Sequence, residues 1–392
     1  MLTVTSRFLT IFMWIAAALP ACVSAVAESA VPSAGLMGVL SDDQWKVIDE
    51  RVDSALHWIG EHQEIDGSFQ ASPNCQPAVT GFCVLAFLSH GHLPGRGPYG
   101  EPLRRAVDYI LSCQREDGIF SAVEPKHRPG GESDPGHNAI YNHAIAAVTL
   151  SDLYGMTENE SGGDIARAVR RGLELTKRLQ DAHKPVKIES GGWRYYIDEK
   201  QGMRADLSGT SFRRMWADLS VTSWQLMFYR SARNSGFQVE PGRIDGAVEF
   251  VVACHEPSTG RFMYNPKNFS DNDSRTMTAS GILALVHSGQ LDPDIAARAG
   301  RWMLERPYDE YGKGYFFLYS LFYAAPAMYM LGEEYWRQFF PTTVRMLLEN
   351  QRADGSWKAV EKWDAPYGDV YATSLVVTVL GTPNQLLPIF QR

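Results

Sequence analysis

Cysteine is scarce. The 392 residues hold five, Cys22, Cys75, Cys83, Cys113 and Cys254, with no C-x-x-C pair and no Cys/His cluster at zinc spacing. A sequence-marked zinc site is therefore excluded, and buried free thiols are expected at the four positions beyond the N-terminal segment. Lys and Arg are not concentrated on any stretch and the net charge is −8. The basic face that phosphate neutralisation needs is missing, so no nucleic acid partner is expected. No linker rich in Pro, Gly or Ser divides the chain, which points to one domain from about residue 43 to 382. The chain is long enough to bury a core without disulfides.

Long apolar runs are also lacking, apart from one at the N-terminus. Arg7 precedes the uncharged run Phe8–Leu19, too short to span a bilayer, and Ala25-Val26-Ala27 follows just before Glu28. This reads as an export signal over residues 1–27, followed by a flexible lead over 28–42. The expected location is periplasmic or secreted. Leu19-Pro20-Ala21-Cys22 resembles a lipoprotein box, so membrane contact is expected only if Cys22 is lipidated.

What the chain does have is a repeat. Gln63-Glu-Ile-Asp66-Gly67-Ser68-Phe69 recurs as Gln114-Arg-Glu-Asp117-Gly118-Ile119-Phe120 and as Gln351-Arg-Ala-Asp354-Gly355-Ser356-Trp357. Degenerate copies stand at Ser190-Gly191-Gly192-Trp193 and Thr259-Gly260-Arg261-Phe262. Gln closes a helix, Asp-Gly makes a tight turn, and the aromatic ring packs back to pin it.

The helices between copies alternate in character. Residues 44–62 carry one apolar stripe, Val47, Val52, Leu56 and Ile59, as a surface helix does. Residues 77–90 carry almost no charge and are expected to be buried on most sides. Further outer helices are expected near 101–114, 163–181, 242–254, 292–305 and 335–350, and inner ones near 137–154, 217–234, 275–288, 314–331 and 369–380. The fold class is therefore all-α, with about six hairpins closing into an α/α toroid; an open solenoid is the alternative. The last ten residues, 383–392, are expected to form a tail.

The Q-x-x-D-G-S-W pattern on hairpins of this size resembles the QW repeat of squalene-hopene and oxidosqualene cyclases, and more loosely that of protein prenyltransferase β-subunits. The stretches His137–His143 and Asp218–Thr222 look like those of exported bacterial members of this prenyltransferase/squalene oxidase repeat family. The resemblance implies an α/α toroid around a central cavity. It does not carry the family's chemistry across intact. Cyclases of the hopene type use an Asp-x-Asp-Asp-Thr-Ala motif. The nearest stretch here, Ser274-Arg275-Thr276-Met277-Thr278-Ala279, keeps only the Thr-Ala ending, with Asp271 and Asp273 upstream. The Asp, Cys and His that hold zinc in prenyltransferases have no counterpart, so no metal and no cofactor are expected. The thioester sequence Gly-Cys-Gly-Glu-Gln found on the same toroid is absent.

Polar residues begin the inner helices, where a toroid would gather them at one mouth. Asp218, His143 and Asp369 are the acid or base candidates. Tyr141, Asn142, Thr222, Arg275, Tyr319, Tyr323 and Tyr371 are the ligand-binding candidates, since aromatic faces suit an apolar or cationic guest. Asp218 and Asp369 equally suit helix caps, and His143 a hydrogen-bonded core position. Arg213 and Arg214, ahead of one inner helix, suit either a solvated loop or an anion. Two readings stay open. One is an exported protein that binds an apolar or isoprenoid-like small molecule; the other is an active terpenoid cyclase or prenyl-transfer enzyme. The sequence does not set an oligomeric state.

Overall fold

The computed structural model describes residues 38–125, 135–154, 159–182, 184, 186–196, 217–267 and 275–391. The expected signal at 1–27 with Cys22, most of the expected lead, and Arg213, Arg214, Asp271 and Asp273 lie outside these residues.

Twelve α-helices form among the described residues, and no strand. Six are outer: α1 (Asp42–Glu61), α3 (Gly100–Ser112), α5 (Asn159–Asp181), α7 (Pro241–Ala253), α9 (Pro293–Leu304) and α11 (Glu333–Glu349). Six are inner: α2 (Ala78–Leu88), α4 (Pro135–Leu153), α6 (Leu219–Asn234), α8 (Arg275–Ser288), α10 (Phe317–Leu331) and α12 (Gly368–Leu380). The near-absence of charge on the inner six has its expected consequence. Every residue of α2 is buried, whereas α1 buries only Ile48, Val52, Ala55, Leu56 and Ile59. Each inner helix packs on the next, and α12 packs on α2, which closes the ring. The architecture is an α/α toroid.

The repeats build that closure. In each well-formed copy the Asp side chain accepts from the backbone N–H two residues on: Asp66 from Ser68 at 3.0 Å, Asp117 from Ile119 at 3.1 Å, Asp354 from Ser356 at 3.0 Å. The Gln side-chain amide then ties two backbones together. Gln63 donates to Gly67 and Pro102, Gln114 to Gly118 and Ala168, Gln180 to Gly191 and Arg243, and Gln351 to Gly355 and Arg51. Each turn is thus stitched to the following outer helix, and the last to the first. Glycine is required at the contact. At Gly67, φ is +91° and an added Cβ would lie 2.3 Å from the Arg105 carbonyl oxygen.

The aromatic residue is held by a second latch. The backbone N–H groups of Phe69, Trp193, Phe262 and Trp357 donate to Thr80, Thr222, Thr278 and Thr373 on the adjacent inner helices, each at 3.0 Å. These threonines tie four of the repeat turns to the N-terminal halves of inner helices.

Residues 383–391, expected to trail as a tail, are packed instead. Leu387, Ile389 and Phe390 are buried, Ile389 N donates to Asp152 at 3.3 Å, and the Phe390 ring lies 5.7 Å from Phe322. Three large apolar side chains in nine residues gain more by closing the far end of the ring than by facing water. Among the described residues no helix is long and apolar enough to cross a membrane. Cys75, Cys83, Cys113 and Cys254 are free and buried.

Candidate functional site

The N-terminal turns of all six inner helices surround a chamber of about 410 Å³. The wall is mostly aromatic: Phe82, Tyr141, Tyr195, Tyr264, Phe316, Tyr319, Trp363 and Tyr371, with Met263 and Met277 between the rings. Among the described residues no Asp or Glu lines it, and its cation, Arg261, pairs with Glu256 at 2.9 Å. No group of three or more His, Cys, Asp or Glu that could hold a metal occurs among the described residues.

The deep wall rests on Phe82, whose ring meets Trp224, Phe322 and Tyr371 edge-on at 5.8, 5.3 and 5.9 Å. Four hydroxyls on three inner helices cross the same level. Tyr141 donates to Ser220 at 3.2 Å; Ser220 and Tyr319 lie 3.2 Å apart; Tyr319 and Tyr323 lie 3.2 Å apart; and Trp224 Nε1 donates to Tyr319 at 2.6 Å. Burial pushes all three phenols up from their ordinary range, Tyr319 to about 12, so they act as neutral hydrogen-bonding groups.

Nearer the mouth, His137 lies between Tyr141 and Tyr195, at ring distances of 5.6 and 4.0 Å. Phe316 takes a left-handed backbone, φ 49° and ψ 51°, immediately before α10. That conformation is costly for a bulky residue. It places the ring 5.6 Å from Trp363, stacked with it on the chamber wall.

Two carboxyl groups stand behind the wall, each reaching it through a tyrosine. Asp218 caps α6 through Val221 N at 2.9 Å and pairs with Arg194 at 2.8 Å; Arg194 in turn donates to Tyr264 at 2.9 Å. Burial raises the Asp218 carboxyl and Arg194 partly opposes it. Asp364 accepts from Leu318 N at 2.8 Å and from the Tyr371 hydroxyl at 3.3 Å. Its burial raises it to about 7.

Of the residues singled out from sequence, Tyr141, Asn142, Tyr319 and Tyr371 line the chamber. Asn142 also fixes the start of α2, donating to Asn74 O at 2.9 Å and accepting from Ala78 N at 3.3 Å. The others do not line it. His143 is packed between Phe120 and Phe228, contacts Thr176 at 3.0 Å, and is lowered to about 4 by burial, which keeps it neutral. Asp369 accepts from Arg352 at 2.6 Å and from Ala359 N at 3.0 Å, holding the last repeat turn. Thr222 is the latch on Trp193. Arg275 donates to Pro307 O and Lys313 O and covers the Tyr308 ring, clamping the loop before α10. Tyr323 lies one layer beneath Tyr319.

Tyr195, Tyr264, Met263, Phe316, Trp363 and Asp364 were not singled out. For two of them a signal existed. Two residues after the pinning aromatic, the well-formed repeats carry Ala71, Ala122 and Ala359, whereas the degenerate copies carry Tyr195 and Tyr264. The substitution of a small residue by a phenol places Tyr195 and Tyr264 on the chamber wall.

The profile of the prenyltransferase alpha-alpha toroid domain matches residues 6–97, 33–161 and 104–316, which together span more than half of the chain. No curated protein matches the sequence. Among solved structures, the type II terpene cyclase MstE from Scytonema in complex with geranylgeranyl dihydroxybenzoate is similar with a TM-score of 0.57 at 16% identity, over 88% of this chain and 99% of that one. The same cyclase with merosterolic acid A gives 0.53 at 16% identity, over 88% and 99%. Cellobiose 2-epimerase from Bacillus thermoamylovorans gives 0.61 at 12% identity, over 87% and 99%. At such identities the likeness is one of fold.

Proposed function

The chain belongs to the prenyltransferase α/α-toroid family, and from that premise we propose that it is an exported protein that binds an apolar, isoprenoid-like molecule in its central chamber. The observation that carries this reading is the wall itself: aromatic rings and methionines on every side, and no carboxylate among the described lining residues. Such a surface gains by excluding water from a hydrocarbon guest, and its rings conform to flat or branched chains. A structural neighbour holding a geranylgeranyl-bearing substrate supports the same class of guest.

Glycoside chemistry needs two carboxyl groups facing one space, an arrangement the described wall does not provide. A cyclase reading rests on one specific feature, the buried carboxyls Asp218 and Asp364 set behind Tyr264 and Tyr371. Neither faces the chamber, and protonating an isolated alkene takes a strong acid in direct contact. Binding is therefore the stronger reading.

Native mass spectrometry of the exported protein, with added squalene and farnesol as probes, tests it. A stoichiometric complex that dissociates on Tyr141→Ala is expected. Conversion of either probe to a cyclic product would establish the enzymatic reading in its place. Export itself is tested by N-terminal sequencing of the protein from the cell envelope, with Glu28 as the expected first residue of an uncapped chain.

A further inference from the structure

The four hydroxyls at the deep wall can be assigned a direction by counting hydrogens. Each hydroxyl carries one hydrogen and accepts twice; an indole N–H only donates. Tyr323 is fully buried, and among the described residues its hydroxyl contacts only that of Tyr319, at 3.2 Å. A buried O–H without an acceptor costs about 1–3 kcal/mol, so Tyr323 donates to Tyr319. Trp224 Nε1 donates to the same oxygen at 2.6 Å. Tyr319 has now accepted twice, and its own hydrogen goes to Ser220 Oγ, 3.2 Å away. Tyr141 donates to Ser220 as well, at 3.2 Å.

Ser220 ends the chain with both acceptor positions used and its hydrogen unspent. Among the described residues no acceptor receives that hydrogen, and Ser220 lines the chamber. We infer that the chamber's guest presents an acceptor oxygen, that of a ketone, ester or ether, to Ser220 Oγ, so that the site selects an oxygenated isoprenoid-like molecule over the matching hydrocarbon. The inference rests on the proposed binding reading and narrows its substrate class. It follows from direction: had the phenols pointed the other way, the wall would offer a lone pair and select a donor. Ser220 is a positioning group for the guest's polar end, and the surrounding rings hold the rest.

The test compares farnesylacetone with the hydrocarbon in which its carbonyl is replaced by a methylene, by calorimetric titration of the mature protein. One well-made hydrogen bond corresponds to a preference of about tenfold for the ketone. Isotope-edited infrared spectroscopy of the carbonyl-labelled ketone should show its stretching band lowered on binding. Ser220→Ala should move the bound band to a new position, because the hydrogens then left facing the ketone are those of the Tyr141 and Tyr319 phenols. Equal binding of the two probes, or a lowered band whose position Ser220→Ala leaves unmoved, would overturn the inference and leave the apolar chamber standing. Binding of neither would overturn both. The wild-type comparison and band position decide the matter even if the alanine variant does not fold.

Discussion

The side-chain amide of Gln351 donates to the backbone carbonyl of Arg51 at 2.8 Å, across 300 residues of sequence. It joins the last repeat turn to the first outer helix, where Gln63, Gln114 and Gln180 join turns to their successors. A linear array would leave its last turn without a following helix; here α1 supplies it.

The closure can be tested at two neighbouring positions. Gln351→Leu removes two hydrogen bonds, a loss of about 1–3 kcal/mol. Gly355→Ala should cost more, since φ is +92° and the new Cβ would lie 2.7 Å from the Ser54 carbonyl oxygen. Urea unfolding midpoints of the two variants should fall in that order. Unchanged midpoints in both would mean that the ring does not depend on this contact.

Thr222 separates a structural role from a ligand role. Its hydroxyl receives Trp193 N–H at 3.0 Å, with both groups buried. Thr222→Val keeps the shape and deletes the acceptor, so a stability loss of about 1–3 kcal/mol is expected with guest affinity unchanged. A variant of normal stability that binds poorly would return Thr222 to the chamber wall.

Asp218 is fully buried against Arg194, whose side chain is 14% exposed. Removing one partner of such a pair leaves the other charge uncompensated and costs about 3–5 kcal/mol. Asp218→Ala is expected to unfold at markedly lower urea. A well-folded Asp218→Ala protein that has lost a catalytic activity would instead identify the carboxyl as a reacting group.

The pH response has two opposing parts. Asp364 and Asp152 are raised by burial to about 7. A folded-state value above the unfolded one, near 3.9, means that the folded protein holds the proton more tightly. Their contribution is full below about pH 4 and is lost as pH rises through about 7. His143 is the reverse: lowered by burial to about 4, it contributes fully above about pH 6.5 and loses its contribution as pH falls toward 4. Subtracting the pH profile of Asp364→Asn from that of wild type cancels the histidine part. The difference should fall steadily between pH 4 and 7, and a flat difference would place the Asp364 carboxyl in water. Proton NMR of His143 should show no titration near pH 6.5.

Trp363 stacks on Phe316 at the chamber wall. An apolar guest should change tryptophan emission, and Trp363→Phe should remove a large part of that change while leaving affinity within about threefold, since one ring replaces another. An undiminished signal would locate the guest elsewhere.

The sequence by itself determined the alternating helical hairpins, and the contact of α12 with α2 decided that they close into a toroid rather than an open row. Charge was withheld from alternate helices and the same turn was written three times over, so burial and turn geometry each pointed to hairpins around a shared centre. The tyrosines at the starts of α4, α10 and α12 were legible because a polar-tipped ring on an otherwise uncharged helix has few places to go. Only the tertiary structure decided which polar residues face the chamber. Thr222, Asp369 and His143 have the same residue chemistry as a site would, yet they meet partners 29, 10 and 33 residues away that hold them off the chamber wall. Ser220 looked no different from them in the chain, and what singles it out is the count of hydrogens arriving from Tyr141 and Tyr319 on two other helices. Hydrophobic pattern is local and repeats; the satisfaction of a buried polar group depends on neighbours that folding alone brings within 3 Å.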